Sequence, residues 1–227
     1  MKILALETAT LAGSVALLDG DRVVGQTLLD ITLTHSERLM AMVDRLLGDC
    51  GVEPRGLDAL AVSVGPGSFT GLRVGVATAK GLGLGLGLPV AVVPTLDAMA
   101  AILPFADAPV VPILDARKSE VYLSRYRWSG AGMTREWEYL ALAPAEAARR
   151  LTPPVIVLGD GVPACRPYLA GAGEGVREAP ATHAVPWAAA VGRLGALRLR
   201  AGEGIPAEAL APFYLRPSQV EQVVGRG

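Results

Sequence analysis

Apolar and polar positions change period several times along the chain, and each change marks an element. The opening stretches "KILALET", "GSVALLD" and "VVGQTLLD" are short and rich in apolar and β-branched residues, with "DGD" at 19–21 as a hairpin signal. They predict a three-strand meander. In "THSE", Thr34 is placed to cap a helix and Glu37 to reach back to it, and apolar residues then recur at Leu39, Met42, Val43, Leu46 and Leu47. That pattern predicts a helix over 34–51. A strand over 58–64, the glycine turn "GPGSFTGLR" at 65–73, a helix to about residue 87, the strand "PVAVVP" and a short helix over 95–103 complete the first half.

After "LPFADAPV" at 103–110, which reads as a linker, a similar order returns. Strands are predicted near 110–115, 121–127 and 135–142, then a helix over 144–151, the strand "VIVLG", a short helix from Pro163, a weak strand near Val176 and the helix "PWAAAVGRLGALRLR". Three strands followed by alternating helices and strands, twice over, predict an α/β protein of two lobes facing one another across a cleft. The first lobe is placed at 1–105 and a smaller, irregular one at 106–227. This is the layout of the actin, sugar-kinase and Hsp70 superfold. The tail "PSQVEQVVGRG" reads as mobile.

Composition narrows the classes. The chain has 227 residues, half of them hydrophobic, and a net charge of −1, which argues against a disordered chain and against a broadly basic nucleic-acid binder. No stretch has the ~18 uninterrupted apolar residues of a membrane span. Two cysteines, Cys50 and Cys165, in a chain with an ample core point to a reducing cytoplasm and two inert thiols.

The glycine turn meets neither common phosphate motif. Gly65, Gly67 and Gly71 are spaced one residue too long for G-x-G-x-x-G, and Leu72 and Arg73 stand where a Walker loop needs Lys and Ser or Thr. The helix beyond it carries Gly71, Gly75, Ala79, Gly83 and Gly87, a small residue every fourth position. Such a ridge admits a second helix closely, and because glycine costs roughly 1 kcal/mol in a helix interior it implies a compensating contact. The contact is either the chain's own preceding helix or a partner as well.

Several motifs resemble the TsaB (YeaZ) family of bacterial proteins that make threonylcarbamoyladenosine on tRNA. The most specific is "GPGSFTGLRVG" at 65–75, supported by "ILALETAT", "GSVAL", "THSERL" at 34–39, "LDARKSEVY" at 114–122 and "PFYLR" at 212–216, in the family's order over nearly the whole chain. The resemblance implies the superfold above with a reduced second lobe. It also implies a role as obligate partner of TsaD, the related transferase acting on the adenosine beside the anticodon of ANN-decoding tRNAs, with the small ATPase TsaE as third member. The helices over 34–51 and 70–87 would then form a bundle with TsaD or with a second copy in a homodimer. His35, Leu39, Met42, Val43, Leu46, Thr70, Gly71, Arg73, Val74, Gly75 and Ala79 are the interface residues so implied.

Nothing in the sequence assembles an active centre. The catalytic relative places two histidines four residues apart to share a metal ion; here His35 has Leu39 at that spacing, and His183 stands in a later loop, so no metal site is expected. Nucleotide sites in the superfold use glycine-rich hairpins, whereas "ETATLAG" has no glycine before Gly13 and "DARKSE" has none at all. Gly159 and Gly161 in "LGDG" stand about where an adenine-contacting loop would lie, although a tight turn explains them equally. Glu7 and Asp115 could form a carboxylate pair across the cleft, but capping of their own turns is the simpler reading. Ser68 reads as a helix cap, and the older glycoprotease label of such proteins finds no constellation. The expectation is therefore a non-catalytic subunit without a cofactor; the alternative is a stand-alone nucleotide hydrolase or phosphotransferase of the same superfold.

Overall fold

The computed structural model describes residues 1–30, 35–169 and 175–215. The predicted cap at Thr34 and the tail from residue 216 lie outside the described residues, as does the side chain of His35. The chain divides into two compact units, one of residues 1–98 with 185–212, the other of residues 99–184 with the remaining C-terminal segment.

The first unit is built on the predicted meander, β1 (Lys2–Glu7), β2 (Ala12–Asp19) and β3 (Arg22–Asp30), turned at Gly20 with φ 62°. Helix α1 (His35–Asp49), β4 (Ala59–Gly65), α2 (Phe69–Leu86) and β5 (Val90–Pro94) follow, and α3 (Thr95–Ala100) leads out. The sheet order is β3-β2-β1-β4-β5, antiparallel through the meander and parallel from β1 to β5.

Strand alternation gives this sheet two unlike faces. Leu4, Leu6, Val15, Leu17, Leu60, Val62 and Val64 form one core with Leu39, Met42, Val43, Leu46 and Leu47 of α1 and Val76 and Ala79 of α2. The other face carries smaller residues, among them Ala5, Ala61 and Ala91, and receives a late helix, α6 (Ala188–Arg200). Gly192 and Gly195 let α6 settle there: a Cβ on Gly195 would stand 2.5 Å from that of Ala61, and one on Gly192 would strike Leu18. The stretch 185–212, placed by sequence with the second lobe, thus packs on the first sheet, where the glycines of α6 lie against its small residues.

The second unit repeats the plan. Strands β6 (Val110–Arg117), β7 (Glu120–Leu123), β8 (Tyr126–Trp128), β9 (Met133–Arg135) and β10 (Leu140–Leu142) precede α4 (Pro144–Arg150), β11 (Val155–Leu158), α5 (Val162–Leu169) and β12 (Val176–Glu178). The order β10-β7-β6-β11-β12, two antiparallel steps and then two parallel ones, is that of the first sheet. Each of the two strands predicted at 121–127 and 135–142 is split. At Ser124, whose hydroxyl donates to the Trp137 carbonyl at 2.8 Å, the chain leaves β7 and forms the separate β8–β9 hairpin.

Candidate functional site

Strand β4 ends in the glycine turn, and Gly65 there has φ 123°, a conformation closed to most side chains. Ser68 caps α2, its hydroxyl accepting from the Gly71 N–H at 3.3 Å. The turn is fastened to the loop between β1 and β2: the Ser68 N–H donates to the Ala9 carbonyl at 2.7 Å, and the Thr8 hydroxyl donates to the Gly71 carbonyl at 2.8 Å. A Cβ on Gly67 would stand 2.7 Å from that of Ala9, one on Gly75 would strike the Thr8 hydroxyl, and one on Gly83 would stand 2.7 Å from the Ala207 Cβ. The small-residue ridge therefore does serve close packing, against Thr8 and Ala9 of the β1–β2 loop and Ala207 of the C-terminal segment of its own unit.

Most of the residues expected at an interface are buried within their own unit. Gly71, Gly75 and Ala79 are buried under α2, and Leu39, Met42, Val43 and Leu46 are buried under α1, because the periodicity that makes both helices amphipathic turns these positions to the sheet. Thr70 and Arg73 are exposed and Val74 is half-buried, and the Arg73 guanidinium lies 3.9 Å above the Phe69 ring. Further along the same outer face come Ala77, Gly81, Leu84 and Gly85, with Leu84 51% exposed. A Cβ on Gly81 or Gly85 would meet nothing within 4 Å. On α1 the exposed positions include Met40, Ala41 and Asp44. Sequence reasoning missed this second stripe, although its signal was present: Ala77, Gly81 and Gly85 recur every fourth residue, two positions out of step with the ridge.

The two candidate acids have different surroundings. Glu7 is fully buried, with one carboxyl oxygen accepting from the Ala9 N–H at 2.6 Å and the other, Oε2, without a hydrogen-bond partner. Burial pushes its carboxyl up to about 7, against the opposing pull of the Ala9 N–H and the Ser63 hydroxyl. Asp115 is partly exposed; it accepts from the Arg117 N–H at 2.8 Å and pairs with the Arg117 guanidinium at 3.2 Å. Each acid thus holds the backbone two residues on. Gly159 and Gly161 have an equally internal use: a Cβ on Gly159 would stand 2.9 Å from the Ile113 carbonyl carbon, and one on Gly161 would stand 2.7 Å from that of Leu114. Between them the Asp160 carboxylate accepts from the Asp115 N–H at 2.9 Å, and burial raises the carboxyl above its ordinary range.

Among the described residues, no three His, Cys, Asp or Glu side chains come together as metal ligands, and no helix is long and apolar enough to cross a membrane. Cys165 is buried, which pushes its thiol up to about 11, and Cys50 is half-buried and not in a disulfide. The His183 ring lies 3.0 Å from the Thr182 hydroxyl.

Comparison with known proteins draws these features together. The family model described as "TsaD: tRNA N6-adenosine threonylcarbamoyltransferase" matches residues 31–157. The chain is similar to the tRNA threonylcarbamoyladenosine biosynthesis protein TsaB of Bacillus subtilis, 38% identical over 56% of each chain. It spans about half the length of the curated relatives it matches. The structure resembles that of YeaZ from Pseudomonas aeruginosa, with 30% identity, a TM-score of 0.80, and coverage of 94% of this chain and 99% of that one. The two-sheet plan also matches the activator of 2-hydroxyisocaproyl-CoA dehydratase from Clostridium difficile at a TM-score of 0.54, where 9% identity shows the shared fold alone. The architecture is that of the actin, sugar-kinase and Hsp70-like proteins.

Proposed function

Because the chain belongs to the TsaB (YeaZ) family, we propose that it acts in the formation of threonylcarbamoyladenosine on tRNA, as a non-catalytic subunit that supports the transferase TsaD. The observation that carries this reading is the outer face of α1 and α2. Met40, Phe69, Ala77 and Leu84 are exposed there beside Gly81 and Gly85, where a Cβ would meet nothing within 4 Å. A soluble protein gains nothing from exposed glycine in a helix interior unless another backbone comes close. A helix of TsaD, or of a second copy when TsaD is lacking, is the element this face would receive. TsaE and tRNA would join through that complex.

A catalytic role for this chain finds less support. The glycines that could have faced a phosphate lie against the chain's own backbone, and the Ser68 hydroxyl is used as a cap. The test is threonylcarbamoyl transfer to an ANN-decoding tRNA by TsaD, supplied with threonylcarbamoyl adenylate and TsaE, with and without this protein. Transfer that depends on the chain, while the chain alone transfers nothing and turns over no ATP, is the expected result. Gly81→Leu and Gly85→Leu should weaken association with TsaD while leaving the fold intact; unchanged association would remove the α2 face from the interface.

A further inference from the structure

Among the buried side-chain oxygens and nitrogens of the described residues, Glu7 Oε2 stands without a hydrogen-bond partner. Glu7 lies in a row of buried polar side chains running across three strands at the C-terminal end of β1. Ser14 of β2 is its cross-strand partner, so the two side chains share a face of the sheet. Ser63 of β4 follows Val62, the partner of Leu6, and so lies beside Glu7 on the same face. The Ser63 hydroxyl is 3.0 Å from that of Thr95, the first residue of α3. Glu7, Ser14, Ser63 and Thr95 are all buried.

Ser14 donates its proton to the Thr27 carbonyl at 3.1 Å and accepts from the Ala188 N–H at 3.2 Å. Glu7 Oε2 has no partner. Among the described residues no charged group forms an ion pair with it, and Arg193 of α6 is exposed. Strand β4 has no ionisable side chain; Asp97 of α3 pairs with Arg198 of α6 at 3.6 Å; Arg73 of α2 lies over Phe69, and Lys80 donates to the Glu208 carbonyl at 2.8 Å. Arg200 of α6 pairs with Asp21 at 3.1 Å, and Asp19, at the far end of β2, with the N-terminus at 3.4 Å. A carboxylate buried without a counter-charge is costly, whereas the neutral acid carries the donor that Oε2 otherwise lacks. With its proton on Oε2 the acid can donate to Ser63, leaving Ser63 to donate to Thr95, so that one chain of hydrogen bonds reaches α3.

We propose that Glu7 is a buried proton-binding site, and that its protonation state governs how firmly the loop at residues 8–10 seats the first turn of α2. The geometry makes the link short. Glu7 Oε1 holds the Ala9 N–H, the Ala9 carbonyl holds the Ser68 N–H, and Gly67 and Gly75 lie against Ala9 and Thr8. A carboxylate drawn toward water moves Ala9, and Ala9 cannot move without Ser68. Since that turn carries Phe69, Thr70 and Arg73, association through the outer face of α2 becomes pH-dependent as well. Only this last step rests on the function proposed above.

The test follows the Glu7 side-chain carbonyl carbon and the Ala9 and Ser68 amides by NMR, in the full chain with 13C-labelled glutamate, from pH 5 to pH 9. The carboxyl should titrate with a midpoint near 7, and both amides should shift with the same midpoint; in Glu7→Gln they should stay still. A midpoint in the ordinary glutamate range overturns the proposal, and so do amides that ignore the titration or that still move in Glu7→Gln. The wild-type titration decides the first two points even where the variant fails to fold. Affinity for TsaD at pH 6 and pH 8 forms a separate arm. If the NMR result holds but wild-type and Glu7→Gln affinities change alike with pH, the coupling to association fails and the proton site stands.

Discussion

The two units solve one backbone problem with opposite chemistry. In both, the chain at the end of the first strand is held by the turn that follows that strand's parallel neighbour, β4 or β11, and in both an acid there accepts a backbone N–H two residues on. In the first unit this junction has no ion pair among the described residues and is largely buried, made of Glu7, Ser63, Thr95 and Ser68. In the second it is charged and wetter: Asp115 pairs with Arg117, and Asp160 supplies the carboxylate that holds the Asp115 N–H. The second turn also takes Arg117, Lys118 and Ser119 through three successive left-handed conformations, φ 61°, 50° and 60°. A charged hairpin tolerates water and local strain, whereas the buried one must satisfy its polar atoms internally, and Glu7 Oε2 is the acceptor left without a partner.

Substitutions can break this comparison. The largest effect should come from Gly159→Ala, which combines φ 119° with a clash against the Ile113 backbone; about 3 kcal/mol of stability should be lost in urea unfolding. Its counterpart Gly67→Ala should cost about 1–3 kcal/mol, and a harmless result at either site would remove the shared role of the turns.

Next comes Glu7→Gln. Burial raises the Glu7 carboxyl from 4.5 to about 7. Between those values the unfolded chain has released a proton that the folded chain retains, so wild-type stability falls as pH rises from 4.5 to 7 and is level above. The total is about 3 kcal/mol. Glu7→Gln should lack this slope and be the more stable protein at pH 8; equal slopes would show that Glu7 is not the source.

Asp160→Ala should cost about 1–2 kcal/mol by leaving the Asp115 N–H without its partner, while Asp160→Asn, which keeps an acceptor, should cost less. The smallest effect, and of opposite sign, is expected on the outer face: Gly81→Ala should stabilise the isolated chain by about 0.5–1 kcal/mol, since nothing opposes its Cβ. A loss there would mean that the face is not open.

Local pattern was readable where local physics decides. The five apolar positions of α1 all point into the core, Ser68 caps α2, and both acids hold their own turns, as their spacing and residue types predict. What lies across from a pattern was not readable. A small residue every fourth position says that something approaches, but the neighbour of Gly75 is Thr8, brought there by the pairing of β1 with β4. The isolation of Glu7 Oε2 depends in the same way on the register that sets Ser14 and Ser63 beside it. The outer stripe at Ala77, Gly81 and Gly85 shares its helix and its four-residue period with the inner ridge, so the glycine pattern alone does not separate the two faces.

The position of α6 has a consequence for how the protein is made. Residues 185–212 complete the first unit, and until they leave the ribosome the small-residue face of its sheet has no cover. The intervening unit, residues 99–184, is contiguous apart from its C-terminal segment and emerges earlier than the element its predecessor awaits. A nascent chain halted before residue 185 would therefore carry a first unit open on one side, a natural client for a chaperone at the exit tunnel.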